Sequence, residues 1–143
     1  MRATACAVSD EAKRLNVEKP LLLGITVLTS INSNSLKNEL KISSGLKDYV
    51  VHLAKLAKES GLDGVVASPE EIKVIRNACG NDFCILTPGI RPSWVTEKDD
   101  QQRVMTPKEA ISNGANFIVI GRPIIQNENP VGATIKIIEE IGS

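Results

Sequence analysis

Residues Leu46 to Glu71, LKDYVVHLAKLAKESGLDGVVASPEE, contain one whole repeat of the architecture. Apolar residues at Leu46, Val50, Leu53, Ala54 and Ala57 recur at the spacing of a helix with one buried face. Gly61 stands where that helix must stop, and glycine enters the left-handed conformation of a helix end without a Cβ penalty. Gly64-Val65-Val66-Ala67 is then a short apolar run of buried-strand length. Ser68-Pro69-Glu70-Glu71 opens the next helix, with Ser68 as N-cap, Pro69 at the first helical position and Glu71 closing a capping box. A capped helix, a buried strand and a second capped helix in succession predict parallel strands covered by helices.

The same grammar extends in both directions. Upstream, an alanine-rich amphipathic helix over about Ala3 to Leu15 is broken at Lys19-Pro20, and the apolar run Leu21 to Leu28 reads as a strand. The polar stretch Ser30 to Ser44 holds a short helical piece near Leu36 to Leu40. Downstream come a strand over Phe83 to Thr87 and a second capping box at Thr106-Pro107-Lys108-Glu109 with a helix to about Asn113. A strand over Asn116 to Ile120 and a helix over about Pro130 to Ile141 follow. Gly61-Leu62-Asp63-Gly64-Val65-Val66 and Gly114-Ala115-Asn116-Phe117-Ile118-Val119 echo each other as helix-end-then-strand units. The fold class is α/β, and four strands make about half of a (β/α)8 barrel. A small flavodoxin-like sheet has the same count and stays open at this point.

Composition narrows the function. Of the 143 residues 42% are hydrophobic and 24% charged, an ordinary globular balance large enough for one domain over residues 1–143. Seventeen basic residues offset seventeen acidic ones, so no global field favours nucleic acid or an anionic membrane. An anion bound here must be held by a local set of donors. Three cysteines without a C-x-x-C pair argue against a disulfide framework and fit a reducing, cytoplasmic compartment. One histidine, His52, leaves histidine-rich metal sites nearly excluded and reads as structural. Cys84 in a strand and Cys6 on the alanine-rich helix read as small core residues, and Cys79 ends a helix before Gly80. The longest apolar runs are too short to span a bilayer, and the N-terminus does not read as a signal peptide.

In parallel α/β folds chemistry sits just past the C-terminal ends of strands. Gly121-Arg122 follows the fourth strand: glycine lets backbone N–H approach an anion, and arginine adds a forked cationic donor. Sixteen residues, Pro88 to Arg103, separate the third strand from the next helix region, longer than a usual βα connection. Its Arg91, Trp94, Gln101, Gln102 and Arg103, amid four charged residues, read either as a disordered, solvated loop or as a mobile lid whose glutamine and arginine close over a bound anion. Thr29 and Ser30, at the end of the first strand, can donate to or accept from the amide edge of a heterocycle, or cap the following turn.

Taken together, Leu21 to Ser30, Gly61 to Ser68, Thr87-Pro88-Gly89-Ile90-Arg91-Pro92 with Asp100-Gln101-Gln102-Arg103-Val104-Met105-Thr106-Pro107, and Gly114 to Ile124 resemble the strand motifs five to eight of bacterial-type orotidine 5′-monophosphate decarboxylase. The resemblance covers nearly the entire chain. It implies the C-terminal half of a (β/α)8 barrel and a phosphate site made by Gln101, Gly121 and Arg122, with Arg91 also on the nucleotide and Thr29 facing the pyrimidine. It implies decarboxylation of orotidine 5′-monophosphate to uridine 5′-monophosphate with neither metal nor organic cofactor. The family's catalytic D-x-K-x-x-D motif, on its third strand, does not occur in these residues. The expectation is therefore a nucleotide-gripping half, truncated or split, that is inactive alone and associates with its missing N-terminal half or with a second copy. A sugar-phosphate-acting barrel and a non-catalytic, phosphate-binding half-barrel are the competing readings.

Overall fold

The computed structural model describes residues 1–95 and 103–142. Its elements run in chain order α1 (Arg2–Leu15), β1 (Leu23–Ile25), α2 (Ser33–Asn38), α3 (Leu46–Glu59), β2 (Gly64–Val66), a 3₁₀ turn (Pro69–Glu71), α4 (Ile72–Cys79), β3 (Cys84–Thr87), α5 (Pro107–Ser112), β4 (Phe117–Ile118), α6 (Arg122–Ile125) and α7 (Pro130–Gly142).

All strand pairs are parallel, and the sheet order is β1-β2-β3-β4. That order separates the two architectures the strand count left open. A flavodoxin-like sheet places its second strand outside its first, whereas a barrel adds each strand beside the last. The chain is four consecutive units of a (β/α)8 barrel.

Sequential order leaves the helices on one side, so only one sheet face is fully buried. Val65 and Ile85 have no exposed surface and join Val50, Ala54, Ile72 and Ile75 in the core beneath α3 and α4. On the opposite face Ile25 is 68% exposed and Phe117 49%. In a closed barrel these side chains point inward, toward strands absent from this chain.

The strands are shorter than the apolar runs. The first run spans Leu21 to Leu28, but only Leu23–Ile25 is ladder, and the last strand is reduced to Phe117–Ile118. Hydrogen bonds continue past these limits, with Asp63 N–H donating to Leu22 O at 2.9 Å and Thr26 N–H to Val66 O at 3.1 Å. The helix after β1 starts earlier than the apolar residues suggest, because the Asn32 side chain accepts from the N–H groups of Asn34 and Ser35. Gly61, at φ 84°, ends α3 as expected. Gly64 is required for another reason, since a Cβ there would collide with the Cys84 carbonyl of the neighbouring strand. Cys6 corrects the sequence reading. It is exposed, and the buried positions of α1 are Ala5 and Ala12.

The internal echo has a structural cause at the N-terminal edge of the sheet. Asp63 precedes β2, and its carboxylate accepts from Leu22 N–H at 2.8 Å and from Lys19 Nζ at 2.6 and 2.7 Å. Asn116 precedes β4, and its Oδ1 accepts from Ile85 N–H at 2.9 Å and from Arg76 Nη2 at 2.8 Å. In each unit one side-chain oxygen ties the start of a strand to its predecessor and recruits a cation. Partial burial alone would raise the Asp63 carboxyl, but the Leu22 N–H and the Lys19 ammonium outweigh it and hold it below the usual carboxylate range.

Asp63→Asn keeps an acceptor for Leu22 N–H and loses only the charge, as Asn116 does naturally. We expect a loss of about 1 kcal/mol at pH 7, read from urea unfolding. A depressed folded-state value stabilises above the ordinary carboxyl range, and that contribution fades as pH falls through it. The difference between the two proteins should therefore shrink below about pH 4. A gap constant with pH would contradict the assignment.

Candidate functional site

The parallel ladder carries the ends of all four strands to one edge. Thr29 and Ser30 follow β1, Ser68 follows β2, Gly89 to Arg91 follow β3, and Gly121-Arg122 follow β4. Thr29, Arg91 and Arg122 are half-buried, while Ser30 and Gly121 are exposed. Neighbouring strands lie about 4.8 Å apart, so three spacings put roughly 14 Å of curved sheet between the Thr29 loop and Gly121. Gln101, the remaining sequence candidate, lies outside the described residues.

Gly121 is the N-cap of α6, a four-residue helix that the sequence reading did not anticipate. Its carbonyl accepts from Ile124 and Ile125 N–H at 2.9 and 3.0 Å, and Pro123 supplies no N–H at all. Apart from its chain neighbours, no atom of the described residues lies within 4 Å of where a Gly121 Cβ would stand.

The long β3–α5 connection is tied together at its base. Arg91 N–H donates to Met105 O at 2.9 Å and Met105 N–H to Gly89 O at 3.3 Å, forming an isolated parallel bridge at Ile90 and Met105. Arg91 Nη1 donates to Ile90 O at 2.9 Å. Ser93 N–H faces the Glu140 carboxylate at 3.2 and 3.3 Å, and Lys136 Nζ lies 5.8 Å from the Trp94 ring centroid, so the loop's first turn rests on α7. The box at Thr106 forms as expected, with Thr106 and Glu109 capping each other's N–H.

Arg103 departs from its expected role. Its guanidinium is buried, 7% exposed, and forms an ion pair with Glu71, whose side chain is 1% exposed. The same fork donates from Nη2 to Leu28 O at 2.9 Å and from Nε to Thr29 O at 3.4 Å. Arg103 therefore faces into the protein and joins three segments, namely the loop after β1, the turn after β2 and the entry to α5. The expected capping box at Ser68 fails for the same reason, because Glu71 turns to Arg103 and Ser68 makes no side-chain cap bond. Burial pushes the Glu71 carboxyl up, and the Arg103 charge, aided by the nearby Ser68 hydroxyl, pulls it partly back. This pair escaped the sequence reading, since Glu71 fits a local cap by spacing and its partner stands 32 residues away.

Among the described residues no three His, Cys, Asp or Glu side chains are grouped to hold a metal ion, and no helix is long and apolar enough to cross a membrane.

With this geometry in view, the sequence matches the model of the orotidine 5'-phosphate decarboxylase / HUMPS family over residues 2–137. The chain belongs to this family. It is similar to the orotidine 5'-phosphate decarboxylase of Syntrophomonas wolfei, at 54% identity over 99% of this chain and 59% of the relative. It is also similar to that of Moorella thermoacetica, at 48% identity over 99% and 56%. Among solved structures, orotidine 5'-phosphate decarboxylase from Lactobacillus acidophilus superposes with a TM-score of 0.73 at 39% identity, over 89% of this chain and 51% of that one. The chain thus spans about half the length of the family members it matches. A family half-barrel agrees with the sheet order and the uncovered inner face.

Removing one partner of a buried ion pair strands the other charge, whereas removing both leaves an apolar site. Arg103→Met should cost roughly 3 kcal/mol near neutral pH, and Arg103→Met with Glu71→Leu markedly less, both read from denaturant melts. With the cation gone, the Glu71 folded-state value climbs further. The loss in Arg103→Met should then be smallest below about pH 4 and grow as pH rises through that value.

Proposed function

We propose that this chain is the nucleotide-phosphate-binding half of an orotidine 5′-monophosphate decarboxylase, the C-terminal four units of its barrel. The observation that carries the reading is the gathering of Thr29, Arg91, Gly121 and Arg122 on one edge of a parallel sheet in a member of this family. Gly121 and Arg122, with Gln101, grip the phosphate, and Arg91 contacts the nucleotide beside it. Thr29 meets the pyrimidine at the far end of the same edge. The separation of the two ends is on the scale of a nucleoside monophosphate and exceeds that of a bare phosphate.

The decarboxylation step is a task for the other half. A lysine set among aspartates stabilises and protonates the carbanion left at the pyrimidine carbon, and no D-x-K-x-x-D stands in these residues. Binding energy gathered at the phosphate, remote from that carbon, helps to organise the assembled site. The chain acts in the cytoplasm on a soluble nucleotide, with residues 1–143 as one part of an assembly that a partner completes.

The completing partner is either an N-terminal half of the barrel or a second copy of this chain. A cleft of about 330 Å³ between Met1, Thr4 and residues Leu22 to Thr26, in and around β1, lies at the open edge. Val131, Ile135 and Ile138 of α7, 71%, 50% and 63% exposed, form an uncovered stripe beyond β4.

Calorimetric titration with 6-azauridine 5′-monophosphate tests the grip. Binding that weakens at least about thirtyfold in Arg122→Ala is expected. A folded chain that does not bind, or an Arg122→Ala variant that binds as tightly, would show that these residues do not form a phosphate site. Light scattering tests the open edges: the isolated chain should self-associate at micromolar concentration, and a stable monomer would count against an uncovered half-barrel.

A further inference from the structure

We infer that Arg103 and Glu71 are positioning residues for base recognition: the buried pair holds the backbone of Leu28 and Thr29 in place, so that the site prefers a pyrimidine nucleotide to a sugar phosphate lacking the base. This rests on the proposed nucleotide site and names the part of the ligand that the pair reads.

The argument begins with what the Arg103 fork touches. One nitrogen meets the Glu71 carboxylate, a second donates to Leu28 O at 2.9 Å and the third leans on Thr29 O at 3.4 Å. The two carbonyls belong to the short link that presents the Thr29 and Ser30 hydroxyls. That link follows a strand of only three residues at the open edge of the sheet, with its inner neighbour on one side alone. Val27 is buried in the core, Ile31 packs against it and Ile31 N–H donates to Leu28 O at 3.0 Å, so the loop is anchored at both ends. Between those anchors Leu28 is 57% exposed, and the bonds from Arg103 to Leu28 O and Thr29 O hold the backbone there. The rigidity of Arg103 has two sources, burial against Glu71 and its place two residues before the Met105 bridge that closes the β3–α5 connection. A planar guanidinium can serve a carboxylate and two carbonyls at once, whereas an ammonium has neither the reach nor the fixed fork.

A pair needed only for stability would also be buried. The distinction is that its atoms terminate on the carbonyls of the loop presented to the base, 74 and 75 residues away in sequence, and not on neighbouring core. The two carbonyls lie at the β1 end of the edge, away from Gly121 and Arg122, so loss of the pair should act more on the base than on the phosphate.

The test compares uridine 5′-monophosphate with ribose 5-phosphate, which keeps the phosphate and pentose and lacks the base, by calorimetry on the full chain. The variants are Arg103→Lys and the double variant Arg103→Met with Glu71→Leu, which leaves no stranded charge and keeps the fold testable. The wild type should bind the nucleotide more tightly. Both variants should lose about tenfold for the nucleotide and little for ribose 5-phosphate, with the double variant still melting cooperatively. If the double variant keeps the wild-type preference, the pair is structural and the inference fails while the nucleotide site stands. If both ligands weaken equally, the pair serves the phosphate and the link to the base is wrong. A wild type that binds both ligands alike also overturns the inference, and one that binds neither overturns the proposed site with it.

Discussion

The parallel ladder that runs Leu23–Gly64–Cys84 and continues through Leu86–Phe117 sets the terms for every other feature. Because each strand is laid beside its predecessor in the same direction, every β-to-α turn emerges at one edge and every α-to-β turn at the other. The two edges then specialise. The N-terminal edge carries Asp63 and Asn116, whose oxygens lock register by accepting a neighbouring strand's N–H together with a cation. The C-terminal edge is left to glycine, arginine and hydroxyl side chains that are not needed for the ladder. A division into a stabilising and a functional end is the general economy of β/α barrels.

The same constraint explains the incomplete surfaces. A sheet wound in one sense buries its outer face under helices and its inner face only on closure. Ile25 and Phe117 are apolar because an inner barrel face must be, and they are exposed because the strands that complete the layer are not in this chain. The uncovered stripe on α7 and the cleft beside β1 have the same origin. The chain spans about half of its family members, and the residues that are costly to expose are those a second half would cover.

At the C-terminal edge, the Arg103–Glu71 pair ties the β-to-α connections to one another. Buried ion pairs are a poor source of stability, since desolvation offsets most of their attraction. Their value lies in geometric definition. Here a single guanidinium defines the relation between the loop after β1, the turn after β2 and the root of the long β3–α5 connection. Three loops that would otherwise be independent become one surface.

Local grammar was legible in the residues alone. The helical spacing from Leu46 to Ala57, the Gly61 stop, the Thr106 box and the apolar strands all act over a few residues, so sequence suffices to specify them. The family motifs at the four strand ends were readable for the same reason, each being a contiguous string. What local pattern could not decide was anything set by a partner distant in the chain. Strand order chose a barrel over a flavodoxin-like sheet. Register shortened the apolar run at Leu21 to Leu28 to a three-residue strand, and packing turned Cys6 outward and Ala5 inward. Glu71 satisfied the spacing of a capping box, yet a buried cation 32 residues away is a stronger partner for a carboxylate than one neutral amide. Arg103 was accordingly read as a hand reaching for an anion and found to be a brace inside the protein. Sequence determined most of the elements and the residue types at their ends; tertiary structure decided which charges pair inside the protein, because burial and pairing are set by neighbours that only the fold brings together.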